Sequence, residues 1–219
     1  VLLKRLLRTF YAPPLRRVRL WAGNRAEQRR IRAEVMLARQ QGRPVKIIIG
    51  AGQTRYPGWI ATDIPAFDIR RAQHWRRLFA PAGIDRMLAE HVFEHLTAAQ
   101  LSDFLATARN YLTADGRIRI AAPDGNHPSS DYINSVRPGG SGAGADDHKM
   151  LYTQEIICQL MAAQGYEFAA LEYFDAKGAF HSQPWSAEDG FVSRSAAHDE
   201  RNSDGVLRYT SLLVDCWLP

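Results

Sequence analysis

Along this chain, short unbroken apolar runs alternate with apolar residues at helical spacing, and that alternation sets the expected architecture. Ile47-Ile48-Ile49 has no polar interruption, the pattern of a strand buried on both faces, and it stops on Gly50-Ala51-Gly52. A second short run over 59–63 reads as the next strand and ends on an acid, Asp63. Residues 64–71 leave room for a very short third strand, with a helix following over 72–79. Residues 84–90 read as another buried strand. Leu101, Phe104, Leu105, Ala108 and Leu112 recur at helical spacing and predict a helix over 97–112. Asp115-Gly116 turns the chain into a β run over 117–122, closed by Pro123-Asp124. Thr153 caps and Gly165 stops a further helix, and 167–174 and 207–217 are late strands with no strong helix between them.

Alternating strands and helices predict an α/β fold: a doubly wound, mostly parallel sheet with helices on both faces. The two late strands predict an antiparallel hairpin at its C-terminal edge. The glycine-rich segment 125–149 is long for a turn, and such loops cover a site or are disordered. Ahead of the sheet, Leu2, Leu3, Leu6, Leu7 and Phe10 fall at helical spacing until Pro13-Pro14 breaks the pattern. A charged helix over 24–41 is expected next, with Asn24 as its N-cap and Ala26, Ile31, Val35, Met36 and Leu37 as its apolar positions. Gly42 and Pro44 stop it. The chain thus divides into a basic helical arm, 1–44, and an α/β domain, 45–219.

Composition sharpens this division. The 219 residues are 46% hydrophobic, enough for a real core, and no apolar run approaches the roughly 20 residues needed to span a bilayer. Residues 1–46 hold 13 Lys and Arg against Glu27 and Glu34, while the remainder holds 15 against 21 acids. The pI near 9.4 is therefore a property of the arm. Helices packed on the domain edge with solvated arginines explain it most simply; contact of residues 1–20 with an anionic membrane surface comes next. Phe10, Tyr11 and Trp21 are too few among the arginines to favour nucleic acid. Cys158 and Cys216 match no metal or redox spacing and read as buried reduced thiols, which fits a cytoplasmic protein.

The chemistry concentrates around two strand ends. A buried strand stopping at Gly50 and Gly52 lets the backbone pass close to a ligand, and Asp63 at the tip of the next strand can accept from a ribose diol. His91-Val92-Phe93-Glu94-His95, read alone, is the inverted zinc-peptidase motif, with Glu167 or Glu172 as a third ligand. That motif belongs in mid-helix, whereas this one starts where a strand ends, so no metal is assigned. An Asp-Asp-His run, Asp146 to His148, has oxygen and nitrogen donors on the long loop.

In order along the chain, these pieces resemble class I S-adenosylmethionine-dependent methyltransferases, closest to a bacterial subgroup of unknown substrate. Ile49-Gly50-Ala51-Gly52, then Pro57-Gly58-Trp59-Ile60 and Asp63, match the family's Gly-rich first motif. Residues 85–96, with Glu90 to Leu96, match its fourth strand and "EH" turn. Leu112 to Arg117 stand at its turn before the fifth strand, and Pro123-Asp124 at that strand's end. The match covers about residues 46–175. Gly144 to Lys149 and Tyr209-Thr210-Ser211 look like marks of the narrower subgroup. Ile48 stands where the family has an acid, and Asp115 where it has a glycine.

The resemblance implies a Rossmann-like fold, S-adenosyl-L-methionine as cofactor, and methyl transfer. It leaves the acceptor open, and a small molecule or cell-surface saccharide is the expectation. It implies cofactor contacts at Gly50, Ala51, Gly52, Asp63, Asp68, Ala89 and Glu90. His91, Glu94 and His148 are the candidate catalytic residues, with His95, Asp124, His127, His181 and Trp185 as further polar or aromatic candidates near the site. The competing classes are a non-catalytic nucleoside- or partner-binding module, a zinc hydrolase and an RNA methyltransferase.

Overall fold

The computed structural model describes residues 14–219. The apolar set expected over 2–10 lies outside the described residues. Helix α1 spans Pro14–Gln40. Proline is tolerated in a first helical turn because its missing N–H has no partner there, so Pro14 starts this helix and Asn24 lies inside it rather than capping it. Gly42, at φ 63°, ends the helix as expected. Ile31, Val35 and Ala38 are buried, whereas Ala26, Met36 and Leu37 are exposed, so the buried stripe is narrower than the apolar composition. Several arginines of α1 face inward, not outward. Arg30 donates to the Ala61 carbonyl at 2.7 Å, and Arg39 to those of Phe79 and Pro81 at 2.8 Å.

The remaining elements are β1 (Lys46–Ile49), β2 (Trp59–Ala61), α2 (Ala72–Phe79), β3 (Ile84–Glu90), α3 (Ala98–Ala108), β4 (Leu112–Pro123) and α4 (Ser130–Val136). They are followed by α5 (Gln154–Ala163), β5 (Glu167–Phe174), β6 (Phe180–Ser182) and β7 (Ser211–Trp217). The strands form one seven-stranded sheet of order β2-β1-β3-β4-β7-β5-β6. β2, β1, β3 and β4 are parallel, and β7 runs antiparallel to both neighbours. This is a Rossmann-like α/β sheet, mostly parallel through its first half.

Three expectations shift. No third strand forms in 64–71; Phe67 and Ile69 instead sink into an aromatic cluster with Trp75 and Phe79. Leu112 opens β4 rather than closing α3, and the register with β3 slips between Ile84 and Arg86 to absorb the 113–116 segment. The two late strands do pair antiparallel, but β7 lies inside the sheet and the edge hairpin is β5–β6.

The helices cover one face. Ile47, Ile49, Met87, Ala89, Ile118, Ile120 and Val214 pack there against residues of α1, α2, α3 and α5. α3 is fixed at its start by a reciprocal pair of hydrogen bonds between Thr97 and Gln100. On the other face Ile48, Leu88, Ala121 and Leu213 meet Val192 and Trp185, and this cluster contains no helical residue. The covering there is an irregular strap over 183–210, so the expected helices on both faces reduce to helices on one. The polar composition of 183–210 supplies no apolar helical stripe, and it binds through charge. Arg119, 1% exposed, meets Asp215 across the β4–β7 register in a two-pronged ion pair at 2.7 Å. It also donates to the strap carbonyls of Ser186 and Gly190. Glu172, equally buried, accepts from Trp185 Nε1, Thr210 Oγ1 and the Ala196 amide.

Candidate active site

The chain order reverses direction across the sheet between β1 and β3, and ligands of open α/β sheets bind outside the strand ends at such a point. Three cavities open there. One, of about 350 Å³, is lined by Gly50, Asp63, Phe67, Asp68, His91, Val92 and others. A second, of about 260 Å³, lies along Gly50, Ala51, Thr54, Glu90, Ser193 and Arg194. A third, of about 430 Å³, is walled by Glu94, His95, Pro123, His148, Arg194, Arg201 and Tyr209. His91 borders all three. Ile49 and Gly50 border both of the first two.

Gly50 sits at φ 63°, and a Cβ there would stand 2.6 Å from Val92 Cγ2. Both conformation and space require glycine, and the close approach is to Val92. Gly52, at φ 51°, donates its amide to Asp63 Oδ2 at 2.8 Å, while the Ile64 amide meets Oδ1 at 2.7 Å. Asp63 thus ties the glycine turn to the β2 tip, and its carboxylate retains further lone pairs toward the cavity. Asp68 lines the same cavity, but both its oxygens already accept from the Arg70 guanidinium. That bond, aided by the neighbouring charge of Arg71, holds its carboxyl below the ordinary range. Ala89 turns its side chain into the helix-covered core and borders none of the three cavities. Glu90 Oε1 accepts from Ser193 Oγ and the Arg194 amide, both at 2.8 Å, and so pins the strap over the second cavity.

His91 directly follows β3, at φ 55°, outside the usual range of a side-chain-bearing residue. Its Nε2 lies 3.1 Å from Ser211 Oγ and 3.3 Å from the Tyr209 hydroxyl. Its Nδ1 stands 3.1 Å from Glu94 Oε1. Glu94 is 1% exposed; burial opposes its charge, but the His91 and His95 rings outweigh it and its carboxyl falls below the ordinary value. Burial raises the Tyr209 hydroxyl, so it remains a neutral donor or acceptor. His148 joins the third cavity because the Lys149 and Met150 amides donate to the Glu94 carbonyl, drawing the long loop onto the β3 end.

Other candidates fall away from the site. Phe93–His95 is a single 3₁₀ turn, so the mid-helix geometry of a zinc-peptidase motif is absent. Glu172 is spent on the strap, and Glu167 accepts from Trp217 Nε1. Asp124 is fully buried and bonded by the Phe174 and Asn126 amides. His127 stacks on Tyr132, with burial lowering its pKa. His181 pairs with Asp175, and Trp185 belongs to the strap itself, with its ring against Arg119. Among the described residues no helix is long and apolar enough to cross a membrane. Both cysteines are buried free thiols.

Arg194, Arg201 and Ser211 were not foreseen as site residues. Tyr209-Thr210-Ser211 was visible as a motif, but only the β7 pairing carries Tyr209 and Ser211 to His91.

No protein-family model matches the chain, and no curated protein does. Among solved structures it is similar to a SAM-dependent methyltransferase from Archaeoglobus fulgidus, at 14% identity over 83% of this chain and 90% of that one, with a TM-score of 0.48. It is also similar to the glycopeptide N-methyltransferase MtfA complexed with sinefungin, at 14% identity over 86% of each chain and a TM-score of 0.40. A third likeness, to LepI in complex with SAH and a substrate analogue, has 12% identity over 84% of this chain and a TM-score of 0.46, and spans only 39% of LepI. Fold and site together define an α/β domain with a ligand crevice at the switch point of its sheet.

Proposed function

We propose that the chain transfers a methyl group from S-adenosyl-L-methionine to a small-molecule acceptor. The observation that carries this reading is the meeting of three cavities at His91, two of which also share Ile49 and Gly50 in their walls. In this reading the nucleoside lies in the cavity of Asp63 and Phe67, and Asp63 takes the ribose hydroxyls. The amino-acid end follows the cavity of Ala51, Glu90, Ser193 and Arg194. A cofactor held there would supply its methyl group to an acceptor in the chamber of His148, Arg201 and Tyr209, which His91 borders.

Methyl transfer is an in-line displacement, so the enzyme mainly aligns nucleophile, methyl and sulfur. When bound, the cofactor would supply the methyl carbon to the acceptor's oxygen or nitrogen, its sulfur keeping the electron pair of the broken carbon–sulfur bond. When the nucleophile is a hydroxyl, its proton goes to His91, whose ring is held by Glu94 on one side and by Ser211 and Tyr209 on the other. Arg194 and Arg201 on the chamber wall suit an acceptor with anionic or oxygen-rich groups, saccharides among them.

Calorimetry with S-adenosylmethionine and S-adenosylhomocysteine tests the reading. Micromolar binding is expected, weakened about tenfold or more in Asp63→Ala, where about 1.4 kcal/mol corresponds to each factor of ten. Absence of binding to either ligand overturns it. Release of S-adenosylhomocysteine with a candidate acceptor then separates an enzyme from a binding module.

A further inference from the structure

The acceptor chamber brings together three side chains, of which only Glu94 has a task in the methyl-transfer reading, beside the His91 ring. Glu94, His95 and His148 each offer one ligand atom, and these atoms all lie within 4.8 Å of one another. Neither oxygen of the Glu94 carboxylate, 1% exposed, has a hydrogen bond; Oε1 has only the His91 ring at 3.1 Å. Buried carboxylate oxygens are normally met by hydrogen-bond donors, and here the nearest groups are imidazole rings. His95 Nδ1 is likewise buried without a hydrogen bond, with Asp147 Oδ2 at 3.5 Å.

His148 adds an independent sign. Its Nδ1 lies 2.6 Å from the Val136 carbonyl, and only an N–H can meet a carbonyl there. Nδ1 therefore carries the proton, and in the neutral ring Nε2 keeps its lone pair. Metal-ligating histidines are held in this way, with the second ring nitrogen donating to a backbone carbonyl. The His95 and His148 rings meet edge to face at 4.9 Å.

We propose that Glu94, His95 and His148 bind a divalent first-row transition cation of the Zn²⁺ or Mn²⁺ type. Two imidazoles with one carboxylate suit such ions, whereas Mg²⁺ and Ca²⁺ prefer all-oxygen sets. The motif is not the inverted zinc-peptidase one: the glutamate is a ligand, and His91 is outside the set. The nearby cations do not fill the place of the ion, since Lys149 pairs with Asp147 and Arg201 with Asp199. Three protein ligands leave coordination positions open, as in catalytic sites. Resting on the methyl-transfer reading, an acceptor hydroxyl takes one of them and loses its proton more readily beside the cation.

The test strips the full chain with a chelator and titrates it with Zn²⁺ and with Mn²⁺ alone, by calorimetry and, for Mn²⁺, by electron paramagnetic resonance. About one ion per chain is expected. Glu94→Gln and His148→Ala should each weaken it by about a hundredfold, while Asp146→Asn on the same turn leaves it unchanged. No binding of either ion, or binding unchanged in both ligand variants, overturns the site. Should Glu94→Gln fail to fold, His148→Ala carries the test alone, its fold checked by circular dichroism. Binding of S-adenosylhomocysteine to the same samples keeps the two proposals apart: metal bound without the nucleoside sinks only the cofactor reading, and the reverse sinks only the metal site.

Discussion

On one face of the sheet Ile47, Ile49, Met87, Ile118 and Ile120 meet helices through apolar contact; on the other, Arg119 and Asp215 lie buried beneath a strap with no α-helix, only short 3₁₀ turns. The first face is held by area removed from water, which tolerates many apolar substitutions so long as volume is kept. The second is held by a few charge-assisted hydrogen bonds, each depending on its partner. Ser193 and Arg194 of the second cavity, and Arg194, Arg201 and Tyr209 of the third, are carried by the strap. The lesson is that the helix face fixes the scaffold, while the polar face supplies walls to two of the three cavities.

Breaking the ion pair should have the largest effect. Arg119→Met leaves Asp215 buried and unpaired and is expected to cost about 3–5 kcal/mol in urea unfolding. Adding Asp215→Leu should recover most of that loss, a repair with no counterpart for a truncated apolar residue such as Leu105→Ala. A single-variant cost under about 1 kcal/mol would mean that the strap is held by something else.

Asp124 sharpens the contrast as a buried carboxylate with amide donors and no cation. Burial outweighs the Phe174 and Asn126 amides and pushes its pKa up to about 6. The folded chain thus keeps a proton that the unfolded chain loses near pH 4, so stability falls as pH rises between about 4 and 6. The group contributes a loss of about 2–3 kcal/mol across that window. In Asp124→Asn the slope should flatten, read from urea midpoints at pH 4.5 and 7; an unchanged slope refutes the assignment.

The smallest effect is expected at Glu172→Gln. The amide keeps one acceptor for Trp185, Thr210 and the Ala196 amide, so about 1–2 kcal/mol is lost. Limited proteolysis should then quicken within 183–210 while α1 to α3 stay protected. Uniform cleavage would show that the two faces unfold as one.

Much of the helix face was legible in the sequence because its signals are local. The period of Leu101, Phe104, Leu105 and Ala108 reports α3 directly. The glycine turn, Asp63 and the Glu90–His95 stretch were legible for the same reason. The strap was not, since Glu90, Arg119 and Glu172 find their partners through contacts remote in sequence. Nor does any pattern near His148 announce its approach to Glu94, which is set by backbone bonds from Lys149 and Met150. Met36 and Leu37 misled in the opposite sense: apolar residues on a long helix need not face the core.

The internal position of β7 gives the molecule an order of assembly. β4 acquires its second neighbour only from residues 211–217, after the whole strap has been made. During synthesis from the N-terminus, β1 to β4 can pair early, but one edge of β4 waits for a distant segment. Arg119 has no counterion until Asp215 arrives, and His91 has neither Ser211 nor Tyr209 beside it. The ligand crevice is therefore among the last parts of the protein to exist, completed by the strand that closes the sheet.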